Sequence, residues 1–204
     1  MTGQPAAAAR TGSSPHEVGQ HASAVATLSE WQAPTPEQEA LRLAYLAHLA
    51  AHPDGTRREG PPAHLTASCF VLDDAAEQVL LTLHRKGGFW VQLGGHLEPR
   101  DRTLADAALR EGREESGLPG LRLLPYGRPA PVDLHRHELS GAFGRCREHL
   151  DVAFAAVADG GSRPEASTES LDVAWWPVSA LPDGVVPDLP GRLDAVVAAV
   201  RAGA

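Results

Sequence analysis

The stretch between Thr103 and Gly117 constrains this chain more than any other. Thr103 followed three residues later by Asp106 forms an N-cap with a capping-box acid, and Gly117 supplies a C-terminal stop, so the spacing predicts a helix over 104–116. Leu104, Ala105, Ala107, Ala108 and Leu109 give that helix an apolar stripe that must face a core. Arg110, Glu111, Glu114 and Glu115 recur at i, i+3 and i+4, so three acids share the C-terminal end of one helix. The crowding is locally unfavourable: like charges at i, i+4 repel by ~0.2–0.5 kcal/mol, and anions in the last turn oppose the helix dipole by ~0.3–1 kcal/mol each. Arg110 and Arg113 offset part of this. A hard cation offsets more, since Mg²⁺ takes oxygen ligands and keeps waters and substrate phosphates as its others. The plain alternative for a Glu-rich helix is a solvated charged face. The glycines on either side of this one weigh against it.

From Gly94 to Leu118 the chain resembles the Nudix box: Gly, five residues, Glu, seven residues, then Arg-Glu-apolar-x-Glu-Glu-x-Gly-apolar. Arg110, Glu111, Glu114, Glu115, Gly117 and Leu118 match its second half in register. Two departures stand out. Counted from Gly95, the first acid is Asp101 rather than Glu, and eight residues separate it from Arg110, an insertion of one residue around Arg102 and Thr103. Gly112 occupies the apolar position after Glu111, which costs a helix ~0.8–1 kcal/mol relative to alanine and removes a packing group.

The resemblance implies an α/β fold, a Nudix-type α/β/α sandwich with a mixed sheet, over roughly residues 63–181. It also implies hydrolysis of the diphosphate linkage of a nucleoside diphosphate derivative, with Mg²⁺ or Mn²⁺ as cofactor. Gly95, Glu111, Glu114 and Glu115 match the positions that hold metal, and Arg110 matches the arginine that orients those acids. In some relatives the first acid of the trio is the base, in others an acid from a later loop. Glu148, Asp151, Glu165 and Glu169 are the acids to weigh here, and a solvated surface role is the simpler reading of each.

Composition agrees with a single ordinary domain plus additions. The chain has 204 residues, enough for a substantial core without disulfides, and its net charge of −8, with no long Lys/Arg run, disfavours nucleic acid or an anionic membrane as partner. A small-molecule diphosphate is the expected partner, and the oligomeric state stays open between monomer and homodimer. Cys69 and Cys146 imply no disulfide framework. With no basic-then-apolar leader and no run of ~18 apolar residues, the expected location is the cytoplasm.

Along the chain, residues 1–33 are rich in Ala, Gly, Ser, Gln and Thr without a sustained apolar period, and read as a disordered tail. Thr35-Pro36 opens a helix through about Ala51, part of an N-terminal addition over 34–62 that precedes the Nudix domain at 63–204. Residues 64–72 and 78–84 look like a hairpin, and 89–93 is a short strand delivering the chain to Gly94. Further strands are expected at 121–126, 132–139, 149–158 and 170–176, with a closing amphipathic helix at 189–200.

His135, His137, Cys146 and His149 are a second constellation. Their residue types and spacing suit a zinc site, an exposed strand face, or contacts to substrate phosphates. His96 follows the glycines and reaches the metal site or packs beside it. Trp90, Phe89, Trp175 and Trp176 stack on a nucleobase or fill the core, and Trp175 and Trp176 must face opposite sides of their strand. The rival to hydrolysis is a ligand-sensing Nudix domain that binds without cleaving, and a third reading is isomerase chemistry on an isoprenoid diphosphate. Intact glutamates favour hydrolysis, and neither cysteine can be assigned the role the isomerase needs.

Overall fold

Local capping decides where the helices begin and end. A computed structural model describes residues 15–139, 145–158, 162–168 and 170–203. Helix α1 spans Pro15–Glu30 and α2 Pro36–Ala51, where the Thr35 hydroxyl accepts from the Gln38 N–H at 3.2 Å. Four strands follow, β1 (Ala63–Leu72), β2 (Gln78–His84), β3 (Trp90–Val91) and β4 (Leu93–His96). Helix α3 (Leu104–Ser116) has both halves of the Thr103/Asp106 capping box and ends on Gly117 at φ 68°. Strands β5 (Arg122–Leu123), β6 (Pro131–Glu138), β7 (Glu148–Val157) and β8 (Ser170–Pro177) lead to α4 (Leu189–Arg201). The expected strand at 121–126 shrinks to β5, because Pro125 offers no N–H to a ladder.

The sheet is mixed. β1 and β7 run parallel side by side along their whole length, from Ala63 opposite Glu148 to Leu72 opposite Val157. The outer edge of β1 is shared by β4, opposite Thr66–Cys69, and by β2, opposite Val71 and Leu72, so the expected hairpin pairs only at its tip. The outer edge of β7 is shared in the same way by β6 and β5. β2 pairs mainly with β8.

Both faces of the β1–β7 pair are covered, which is why residues 64–72 are buried without a break. Leu65, Ala67, Cys69 and Val71 point into one core with residues of α1, α2 and α3, while Phe70, Leu72, Ala153 and Ala155 meet α4 in another. Trp175 packs against the first and Trp176 against the second, as strand alternation requires. Helix α3 lies close on β1 because Gly112 carries no side chain: a Cβ there would stand 2.7 Å from the Cys69 sulfur. The glycine that looks like a lost packing group is what the packing needs.

Residues 15–30 depart from the expected tail by forming a helix; residues 1–14 lie outside the described residues. Ala24, Leu28 and Trp31, spaced four and three apart, are buried in the same core as Tyr45 and Leu49 of α2. Such a stripe is too narrow and too alanine-rich to show as hydropathy, yet it has a surface to dock on. Among the described residues no helix is long and apolar enough to cross a membrane.

Candidate functional site

Strand β4 brings Gly94 and Gly95 against the C-terminal half of α3. The Gly94 N–H donates to Glu115 Oε2 at 2.9 Å, and Glu115 is only 7% exposed. A Cβ on Gly95 would stand 2.6 Å from Glu111 Oε1, so only glycine lets the backbone approach that carboxylate. Glu114 lies further out and accepts from the exposed Arg100 at 2.7 Å.

Arg110 ties these acids together. Its Nη1 donates to Glu111 Oε1 at 2.9 Å and Glu114 Oε2 at 3.0 Å, and its Nη2 to the His96 carbonyl at 2.8 Å. The other edge of the guanidinium grips Asp101, with Nε to Oδ1 at 3.0 Å and Nη2 to Oδ2 at 2.8 Å. Burial alone disfavours the Arg110 charge, but the Asp101 and Glu111 carboxylates more than offset it and raise its pKa above the ordinary value. Asp101, 4% exposed, also accepts from the Glu98 N–H at 2.7 Å. The acid beside the inserted residue therefore holds Arg110 and shapes the loop. From α1, Gln20 donates to the carbonyls of Glu98 at 2.5 Å and Asp101 at 2.6 Å, a clamp that nothing in the local sequence announces. A set of carboxylate oxygens brought to a side-chain-free backbone suits a hard divalent cation.

At this end the face of the sheet turned away from α3 is polar. In cross-strand rows, His64 of β1, His149 of β7 and His137 of β6 lie side by side, followed by Thr66, Asp151 and His135. Asp151 accepts from Thr66 at 2.9 Å and Ser68 at 2.5 Å and is 4% exposed, so it is a buried acid rather than a solvated one. The alternation His64, Thr66, Ser68 within an apolar run was the legible signal for this face. Glu148 pairs with Arg136 at 2.9 Å, Glu165 is exposed, and Glu169 lies outside the described residues.

The histidine constellation differs from the expected set. Donor atoms of His64, His96, Cys146 and His149 lie within 4.8 Å of one another, whereas His135 and His137 stand outside that group. The β6–β7 register carries them along the sheet: the His137 ring is 5.2 Å from His149, and His135, a row further on, meets Asp188 at 3.1 Å. Burial foremost, then the neighbouring His64, pushes His96 down to about 4. Burial and then His96 push His149 to about 2, and burial and then Arg192 push His135 to about 4. Trp90 meets Trp176 edge-on at 5.5 Å and packs against the second core.

The NUDIX domain family model matches residues 62–196, which leaves α1 and α2 outside the match. No curated protein matches the chain. Among solved structures, a NUDIX-family hydrolase from Clostridium perfringens is similar at 21% identity, covering 67% of this chain and 97% of that one, with a TM-score of 0.56. A C. elegans Ap4A hydrolase binary complex is similar at 16% identity, covering 68% of this chain and 98% of that one, at TM-score 0.55. The E. coli dihydroneopterin triphosphate pyrophosphohydrolase follows at 16% identity, 66% and 95% coverage, and TM-score 0.53. At such identities the likeness is one of fold.

Proposed function

This chain belongs to the Nudix family, hydrolases acting on pyrophosphate bonds, and on that premise we propose that it cleaves the diphosphate linkage of a nucleoside diphosphate derivative with the help of Mg²⁺. The observation that carries the reading is the packing of Gly94 and Gly95 against Glu111 and Glu115 beneath a fully engaged Arg110. Glu111, Glu114 and Glu115, with the backbone at Gly95, would hold the ion. When bound there, such an ion neutralises diphosphate charge and acidifies water.

The chain's own residues set the geometry. The Gly94 N–H fixes the orientation of Glu115, and Asp101 with the His96 carbonyl holds Arg110 so that its Nη1 presents Glu111 and Glu114 together. A glutamate of this set takes the proton of the attacking water, a carboxylate within reach of it being all that step needs. The polar face of β1, β6 and β7 offers His135 and His137 as neutral partners for the substrate, and it is the wall against which the nucleoside or leaving group would rest.

The test is a panel of nucleotide sugars, ADP-ribose compounds, oxidised nucleotides, Ap4A and dihydroneopterin triphosphate, incubated with Mg²⁺ and read for new phosphate ends. Cleavage of one class identifies the substrate. Binding without cleavage across the panel would replace hydrolysis with ligand sensing.

A further inference from the structure

We propose that His64, His96, Cys146 and His149 form a second metal site, built for a tetrahedral first-row transition ion of the Zn²⁺ type and separate from the glutamates of α3. The inference does not depend on the substrate or on catalysis.

Four segments converge on it: β1 supplies His64, β4 His96, β7 His149, and the turn before β7 Cys146. The ring centroids of the three histidines are 5.1, 5.4 and 4.8 Å apart, and the Cys146 sulfur is 3.9 Å from His96 Nε2. With zinc bonds of about 2.0–2.3 Å, donors at the corners of a tetrahedron stand about 3.3–3.7 Å apart. The observed limit of 4.8 Å closes to that by side-chain rotation of about an ångström, without moving the strands.

Hydrogen bonding supplies a second, independent reason. His64 is wholly buried, and its Nδ1 lies 3.0 Å from the Pro61 carbonyl, an acceptor only. The ring proton must therefore sit on Nδ1, leaving a lone pair on Nε2. Among the described residues that nitrogen has no hydrogen-bond partner, and His149 Nε2 is likewise buried without one. Buried polar atoms left unsatisfied are costly and rare, and here two bare imidazole nitrogens and a thiol share one pocket. A carbonyl bonded to the far nitrogen of a histidine is the support that metal-ligating imidazoles receive. Three imidazoles and a thiolate are too soft for Mg²⁺ and suit zinc.

All four positions are filled by protein, so the site is structural. Its consequence lies in His96: the side chain would be fixed by the ion while the carbonyl of the same residue receives Arg110 Nη2. The metal staples β1, β4 and β7 together one residue beyond Gly95, and so holds the loop on which the carboxylate site depends.

The experiment is elemental analysis of the untagged full-length protein after dialysis, with Co²⁺ replacement read by absorption. About one zinc per chain is expected, with Co²⁺ giving tetrahedral visible bands and a thiolate charge-transfer band in the near-ultraviolet. Glu115→Gln should keep the zinc and Cys146→Ser should lose the charge-transfer band. Protein without zinc that also fails to give the Co²⁺ spectrum overturns the proposal, and so does zinc that leaves in Glu115→Gln. If Cys146→Ser does not fold, the wild-type Co²⁺ spectrum alone decides: no thiolate band, no site.

Discussion

Replacing Gly112 by alanine should destabilise this protein, against the ordinary rule for helices. In a helix interior the exchange gains ~0.8–1 kcal/mol. Here the new Cβ would stand 2.7 Å from the Cys69 sulfur and 3.2 Å from Leu121 Cδ1, and Cys69 is fully buried in β1. Leucine's outer methyl can give way; a cysteine sulfur in a packed strand has little room to. Overpacking of this kind costs ~1–3 kcal/mol, so the net effect is a loss of about 1 kcal/mol. Removing the sulfur should reverse the sign: in a Cys69→Ala background, Gly112→Ala becomes neutral or stabilising, a coupling of ~1–2 kcal/mol. Urea denaturation of the four proteins of this cycle, with midpoint and slope taken from each, measures it. A stabilised Gly112→Ala, or an equal effect with and without the sulfur, would refute the close packing of α3 on β1.

Other perturbations probe the elements around the site. Asp101→Asn keeps the shape of the side chain but removes the most buried of the carboxylates paired with Arg110, leaving Glu111 and Glu114; it should cost ~1–3 kcal/mol in denaturation and lower turnover, whereas a merely solvated acid would show neither. Gln20→Ala removes both carbonyl contacts of α1 to the metal loop and should cost ~1–3 kcal/mol in thermal unfolding, while no change would mean that α1 does not dock. His135, facing Asp188, Arg192, His137 and Asp151, has its pKa pushed down to about 4 by burial first and Arg192 next. The unfolded chain, with a histidine pKa near ~6.5, then binds the proton more readily, so this contribution is complete above that value and is lost as pH falls toward 4. His135→Asn should flatten the stability-against-pH curve between those limits; an unchanged slope would contradict it.

The parts of the structure legible in the sequence are those fixed by neighbours along the chain. Helices α2 and α3 are such parts, because Thr35, Pro36, Thr103, Asp106 and Gly117 act within one turn. The acids of α3 are legible for the same reason. What needed the structure depends on pairing across distance. Nothing near His64 links it to His149, which the parallel register of β1 and β7 sets beside it, and so the histidine cluster expected around His135 and His137 forms instead around His64 and His96. Asp151 reads as a surface acid until Thr66 and Ser68 of a remote strand are seen to donate to it. Helix α1 hides because its docking stripe is alanine and leucine, continued by Trp31 just past its end, and only its contact surface gives that stripe meaning.

The claim on which the rest turns is that the glutamates at the end of α3 hold a catalytic divalent ion, and Glu115→Gln tests it most directly. Phosphorus NMR of the cleaved panel substrate, with and without Mg²⁺, should show wild-type turnover only with the ion. In the variant, at unchanged circular dichroism, turnover should fall by a factor of ~10² or more, about 2.7 kcal/mol of barrier. Full turnover in Glu115→Gln, or cleavage by the wild type in the presence of a strong chelator, would contradict the account.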